Sequence, residues 1–132
     1  MPNNAAIPQR TITITVHGDN NDHYMTYSYW SPVTHEQYNN VPKCDLLCNR
    51  PTYFLFILDY KSTLNGWTIT GITPGENFPP LETTPGPYHL SVANYDPHSD
   101  HEVHHFAINY LNTITGISDA VDPQEGNIPG GD

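Results

Sequence analysis

The stretch from Arg10 to His17 reads R-T-I-T-I-T-V-H, and it decides the fold class of this chain. Its apolar residues alternate with threonines, so all of them point to one side of an extended segment. This pattern predicts a strand with one buried face. The turn-forming run G-D-N-N-D at 18–22 follows, and alternation resumes from His23 to Ser31, which predicts a hairpin.

Further segments have the length and composition of strands. They are Thr52–Tyr60, Trp67–Thr73, Tyr88–Tyr95 and His101–Asn112, with shorter ones near Gln37–Val41 and within Ile114–Val121. The run Thr52–Tyr60 is almost continuously apolar, which predicts a strand buried on both faces. The turn signal Asn65-Gly66 predicts a second hairpin between this strand and Trp67–Thr73. The stretch His101–Asn112 matches both strand and helix spacing, and we favour the strand.

Length and composition indicate one domain. The chain has 132 residues, of which 36% are hydrophobic and 11% aromatic, enough to build a packed core. Thirteen prolines, nine glycines and few charged residues disfavour long helices and suit short strands joined by turns. We therefore predict an all-β protein, an antiparallel β-sandwich of about seven strands, immunoglobulin-like or cupredoxin-like. The single domain spans 1–132, with a polar leader at 1–9 and a Pro/Gly-rich tail at 122–132.

The charge excludes some partners. Fourteen acidic residues against four basic ones give a formal net charge of −10, which repels nucleic acid and anionic membrane surfaces. The N-terminal residues lack the apolar run of a secretory signal, and no segment has the apolar length of a membrane span. We expect a cytoplasmic protein with neither nucleic-acid nor membrane partners.

Several segments resemble the DP-EP family of small bacterial β proteins. The matching segments are T-I-T-I-T-V at 11–16, T-Y-F-L-F-I-L-D at 52–59, G-W-T-I-T-G-I at 66–72 and T-G-I-S-D-A-V-D-P-Q-E-G-N at 115–127. The resemblance implies a β-sandwich in which 101–112 is a strand. It implies no activity, and the Glu-Pro element of the family name is absent from this sequence.

Histidines and carboxylates concentrate in two loops that an up-and-down strand order brings to the same end of a sandwich. One loop contributes His17, Asp19, Asp22 and His23, and the other contributes Asp96, His98, Asp100 and His101. Imidazole with carboxylate suits Zn²⁺, Ni²⁺ or Cu²⁺, and loop oxygens suit Ca²⁺. We predict no certain cofactor but a candidate divalent-metal site, with ligands drawn from His17, His23, Asp96, His98, Asp100, His101 and His105. The alternative is that these side chains cap turns or are solvated.

The sequence H-E-V-H-H at 101–105 satisfies the pattern H-E-x-x-H. On a helix, His101 and His105 share a face and bind zinc, while Glu102 activates water as the catalytic base. In a strand the same two histidines lie about 13 Å apart, too far to share one metal. A zinc-dependent hydrolase is therefore the alternative function, and it requires a helix here.

An aromatic series supports two interpretations, a carbohydrate or partner surface or ordinary core packing. Its members are Tyr24, Tyr27, Tyr29, Trp30, Tyr53 and Tyr60. The spacing of Cys44 and Cys48 matches no redox or zinc motif, and no serine–histidine–acid set or phosphate loop is present. We predict a non-enzymatic binding or self-assembly module with an acidic, histidine-rich loop end. Sheet edges and tyrosine-bearing faces offer a route to homo-oligomers.

Overall fold

The computed structural model describes residues 9–18, 22–32, 34–48, 52–74, 82–94, 103–104, 106–121 and 124–127. These residues form twelve strands and one five-residue helix. The elements are β1 (Gln9–Gly18), β2 (His23–Ser31), β3 (Glu36–Val41), β4 (Asp45–Cys48), β5 (Thr52–Leu58), α1 (Tyr60–Leu64), β6 (Trp67–Pro74), β7 (Glu82–Pro85), β8 (His89–Asn94), β9 (Val103–His104), β10 (Phe106–Asn112), β11 (Ser118–Val121) and β12 (Gln124–Asn127). The prediction of an all-β protein is confirmed.

The largest sheet has six strands in the order β3-β2-β1-β5-β8-β7. The predicted hairpin of β1 and β2 is confirmed, with Thr13 opposite Ser28 and His17 opposite Tyr24. On its other side β1 runs parallel to β5. The sheet is therefore mixed, whereas the sequence analysis predicted antiparallel pairing throughout. Alternation predicts that a segment is a strand, but it does not indicate whether the neighbouring strand is parallel or antiparallel.

A second sheet, in the order β11-β10-β6, shares one hydrophobic core with the first. The rings of Phe56 on β5 and Phe106 on β10 meet edge to face, with their centroids 6.2 Å apart. Every other residue of β10 is buried, which is typical of a strand with one face on a core. A third, small sheet has the order β4-β12-β9.

The strand β5 corrects two predictions. Its burial alternates, with Phe54, Phe56 and Leu58 buried and Tyr53 exposed, so it is not buried on both faces. It also forms no hairpin with β6, because β5 pairs with β1 and β8 while β6 pairs with β10 in the second sheet.

The Asn65-Gly66 signal ends the helix α1 instead of joining two paired strands. Asn65 is the C-cap of α1, and Gly66 has a φ of +99°. A Cβ at Gly66 would lie 2.7 Å from the Asn112 side-chain oxygen, so this position needs glycine for both its backbone angle and its close contact.

The helix α1 takes over from β5 as the neighbour of β1. The last residue pair of the two strands is Ile14 with Leu58, after which the Asp59 amide donates to the Ile14 carbonyl. Beyond that point the Val16 amide donates to Ser62 Oγ over 2.8 Å. The fully buried Ser62 hydroxyl therefore supplies the acceptor that a longer β5 would have offered.

The strand prediction for 101–112 and the predicted number of strands have different outcomes. The favoured strand interpretation of 101–112 is confirmed for Val103–His104 and Phe106–Asn112. The count of about seven strands is not confirmed. Sequence patterns did not predict β4, β7 and β12, which are four-residue strands in segments rich in Pro, Gly or Asn.

Candidate functional site: the outer face of the six-stranded sheet

One face of the six-stranded sheet packs on the core, and we call the opposite one the outer face. On β1 the buried Ile12, Ile14 and Val16 alternate with threonines that are half-buried or exposed. The register with β2 and β5 extends this division across the sheet. The side chains of the outer face on these three strands are Gln9, Thr11, Thr13, Thr15, His17, Tyr24, Thr26, Ser28, Trp30, Tyr53, Leu55 and Ile57.

The aromatic series divides between the two faces. Tyr27 and Tyr29 are buried in the core, whereas 58% of Tyr24, 49% of Trp30 and 36% of Tyr53 remain exposed. Tyr60, on α1, is 76% exposed. Core packing is therefore the role of Tyr27 and Tyr29, and the exposed members of the series stay candidates for a carbohydrate or partner surface.

A groove of about 560 Å³ lies beside Trp30, where β1, β2 and β3 adjoin. Its lining includes Thr11 and Thr13 of β1, Ser28 of β2 and Gln37 of β3. Thr13 and Ser28 face each other across the hairpin, and Trp30 is paired with Gln37. The groove thus places an indole ring among short hydroxyl side chains and a primary amide.

The amide of Gln37 is held by its neighbours. Its Nε2 donates to the Tyr38 carbonyl over 3.0 Å and to Asn39 Oδ1 over 3.1 Å. These two bonds use the two hydrogens of the amide nitrogen, so the Gln37 group that can still serve a ligand is the carbonyl oxygen, an acceptor.

His17 lies in a polar network at the other end of the outer face. Its Nε2 is 2.7 Å from Thr26 Oγ1, and its ring stacks on Tyr24 with centroids 5.0 Å apart. Thr26 Oγ1 in turn donates to Asn40 Oδ1 over 3.4 Å. Thr26 Oγ1 thus joins His17 to Asn40.

Asp59 is adjacent to this network, but the set is not a catalytic triad. Its carboxylate accepts from the Ser62 amide over 2.9 Å and from Thr15 Oγ1 over 2.7 Å, so both oxygens already have structural partners. Thr26 is only 6% exposed, which leaves little room for a substrate at its hydroxyl. Desolvation raises the pKa of Asp59, but the hydrogen bonds from Ser62 and Thr15, with the charge of His17, outweigh it and leave that pKa lowered.

His23 lies on the core side of the same hairpin. Its Nε2 is 2.8 Å from Asp119 Oδ2 on β11, and its ring contacts Trp67 on β6 with centroids 4.8 Å apart. His23 thus links the six-stranded sheet to the second sheet. No local sequence pattern predicts this contact, because Asp119 is 96 residues away along the chain.

The predicted metal ligands are therefore only partly located. His17 and His23 are on opposite sides of the sheet and each has its own partner, so the structure does not bring them together. In the part of the chain that the structure describes, no three His, Cys, Asp or Glu side chains lie close enough to hold a metal ion. The other proposed ligands, together with Asp19 and Glu102, lie outside the described residues: Asp96, His98, Asp100, His101 and His105.

The H-E-x-x-H pattern overlaps a strand. Val103–His104, between its outer residues, forms β9 and pairs with β12. The described residues of the motif are therefore extended, whereas the zinc-binding arrangement requires a helix. Cys44 is fully buried in the core cluster.

Among the described residues, no helix is long and apolar enough to cross a membrane. The groove beside Trp30 was not predicted from the sequence, although the alternation in β2 already put Trp30 in phase with Ser28 and Thr26.

A comparison with known proteins finds no family model and no curated protein that matches this chain.

Proposed function

We propose that this protein is a non-enzymatic binding module whose ligand lies on the outer face of the six-stranded sheet, in the groove beside Trp30. The observation that carries this proposal is the half-exposed indole of Trp30 above a groove of about 560 Å³. A large aromatic side chain exposed beside convergent polar groups is typical of a binding site.

The scaffold supports this proposal. β1 is paired on both sides, with β2 and β5, so the strand that lines the groove has little freedom to move. A binding site on a rigid sheet requires little ordering when the ligand arrives, which favours affinity. We further propose that the two sheets form an immunoglobulin-like or cupredoxin-like sandwich, as the resemblance to the DP-EP family implies; their shared core supports this.

A second part of the proposal concerns the acidic, histidine-rich loop end, which we propose as a site for Zn²⁺, Cu²⁺, Ni²⁺ or Ca²⁺. The supporting observation is the composition of 96–101, Asp-Pro-His-Ser-Asp-His. The test is metal content by mass spectrometry, with His98→Ala and His101→Ala as variants. Near-stoichiometric metal that both variants lose supports the site, and protein that takes up no metal refutes it. The zinc hydrolase remains the alternative, and no observation in the described residues favours it.

Self-assembly through strand addition also remains a proposal, and the edges of the six-stranded sheet limit it. At one edge, β3 contains an irregular register with β2, and Asn40 has a φ of 51°. At the other edge, β7 contains Pro85, which has no amide hydrogen to donate. Such features hinder edge-to-edge pairing, so we expect homo-oligomers, if formed, to use a face rather than these edges.

The protein's two tryptophans provide the test of the outer-face site. Trp30 is half-exposed and Trp67 is buried, so acrylamide quenches mainly the emission of Trp30. We would screen soluble oligosaccharides, nucleosides and short peptides for protection of this emission. The proposal expects at least one class to protect Trp30, with binding lost in Trp30→Ala and retained in Tyr60→Ala, a control on α1. If no class protects Trp30, the outer-face proposal is wrong.

A further inference from the structure

We infer that the groove beside Trp30 binds an extended, uncharged polysaccharide, with sugar rings stacked on Trp30 and Tyr53. This inference rests on the proposed function and names its ligand class. Four observations support it: two exposed rings on one face, the spacing of their strands, the polar groups around Trp30, and the net charge of the protein.

The two rings are exposed on the same face of the sheet. The C–H groups on one side of a sugar ring form an apolar surface that packs on the face of an aromatic ring, and Trp offers the largest such face. Trp30 is on β2 and Tyr53 is on β5, with β1 between them. Both residues are on central strands, so their backbone loses little conformational entropy when a ligand binds.

The backbone spacing of the two residues suits contacts with alternate sugar units of a chain. Continuing the β1–β2 register places Trp30 beside Thr11, and Tyr53 is paired with Gln9. Two strand spacings across the sheet and two residues along it give a backbone separation of about 12 Å. This is near the length of two sugar units in an extended glycan. An extended chain can therefore cross β1 obliquely and stack on both rings.

The side chains around Trp30 match the chemistry of hydroxyl groups. Thr13 contributes a hydroxyl that donates and accepts, the Ser28 hydroxyl accepts from the Asn40 amide over 3.0 Å and can still donate, and Gln37 contributes a carbonyl acceptor. Sugar hydroxyls also donate and accept, so every one of these groups can find a partner. Peptides offer fewer such groups per unit length, and a purely apolar ligand would leave these polar groups desolvated and unpaired.

Charge disfavours an anionic glycan. The formal net charge of −10 repels polyuronates and sulfated chains. Arg10 is the single charged residue that lines the groove, and its guanidinium lies 5.4 Å from the centre of the Phe54 ring, a core residue on the opposite side of the sheet from Tyr53. The ligand-facing hydroxyls and amide carry no charge.

The inference is tested by affinity electrophoresis in native gels that contain hydroxyethyl cellulose, mixed-linkage β-glucan, arabinoxylan, glucomannan or, as the charged comparison, polygalacturonate. We expect retardation by at least one uncharged polysaccharide and none by polygalacturonate. The apparent affinity should fall by about tenfold or more in Trp30→Ala, which corresponds to the loss of one stacking contact. It should fall less in Tyr53→Ala and recover in large part in Trp30→Tyr.

Tyr60→Ala is the matched control, since it removes an exposed tyrosine outside the groove and should leave retardation unchanged. Far-UV circular dichroism of each variant confirms that the fold is intact. Retardation that survives in Trp30→Ala, or that is strongest with polygalacturonate, overturns the inference. If no uncharged polysaccharide binds while a peptide or nucleoside protects Trp30 from acrylamide, the inference is wrong and the outer-face site stands. If nothing protects Trp30, both are wrong.

Discussion

Two tyrosines of the same strand, β2, differ in burial. Tyr27 is 1% exposed and belongs to the core, whereas Tyr24, three residues earlier on β2, is more than half exposed and stacks on His17. The same difference separates the two faces of the whole six-stranded sheet. It teaches that residue type does not decide whether an aromatic side chain stabilises the fold or is available to a ligand; the face of the strand decides.

The largest effect on the free energy of unfolding is expected on the core side of the sheet, at Tyr27. Tyr27→Ala removes a fully buried ring, and we expect the free energy of unfolding to fall by about 3–5 kcal/mol, as for other large-to-small core substitutions. Tyr24→Ala should cost less than about 1 kcal/mol, because it removes one partly exposed stacking contact. Urea denaturation followed by circular dichroism measures both. Equal losses in the two variants would contradict the division into faces; Tyr27→Phe provides a folded core variant if Tyr27→Ala does not fold.

The next largest loss of stability is expected at Ser62, on the buried side of α1. Ser62→Ala removes the acceptor of the Val16 amide, and we expect a loss of about 1–3 kcal/mol because a buried N–H is left without a partner. Hydrogen exchange of the Val16 amide should also become faster. The matched control is Thr63→Ala, whose hydroxyl donates to the Tyr60 carbonyl in an exposed hydrogen bond and should matter much less.

Asp59 is the partly exposed counterpart of Ser62 on the same turn. Asp59→Ala removes the N-cap of α1 and the partner of Thr15, and we expect a loss of about 1 kcal/mol at pH 7. Because the pKa of Asp59 is lowered in the folded state, the carboxylate stabilises the fold above its unfolded pKa of about 4. This contribution is lost as the pH falls through the folded pKa.

The measurement is therefore the difference in unfolding free energy between the wild type and Asp59→Ala, from pH 7 downward. The difference should be constant above about pH 5 and shrink below about pH 4. Asp59→Asn keeps a capping oxygen but cannot ionise, so its difference from the wild type should be smaller than that of Asp59→Ala and should show the same pH dependence. A difference that grows on acidification would contradict the assignment of Asp59.

The smallest effect on stability is expected on the outer face. Trp30→Phe should change the free energy of unfolding by about 0.5 kcal/mol or less, because half of the side chain is already in solvent. It should nevertheless remove most of the emission that acrylamide quenches, leaving the shielded signal of Trp67. A Trp30→Phe variant that is as destabilised as Tyr27→Ala would show that Trp30 is part of the core.

Sequence patterns identified β1, β2 and β8 by their alternation, because alternation is a local property of the chain, and they favoured a strand for β10 although its spacing also matched a helix. They misjudged β5, whose outer residues Tyr53, Leu55 and Ile57 are apolar but not buried, so an apolar run was taken for double burial. They also took Asn65-Gly66 for a hairpin turn, since helix ends and hairpins use the same residues. The site was only half predicted: Trp30 was noted as a candidate, but its groove depends on β3 and Gln37.

What the sequence by itself determined is the fold class, the main strands and the negative charge, all of which follow from composition and from the order of neighbouring residues. Only the tertiary structure decided that β1 runs parallel to β5, that α1 replaces β5 beside Val16, and that His23 reaches Asp119 in the second sheet. The physical reason is that such pairings join residues far apart in the chain, and their free energy depends on packing that no local pattern encodes.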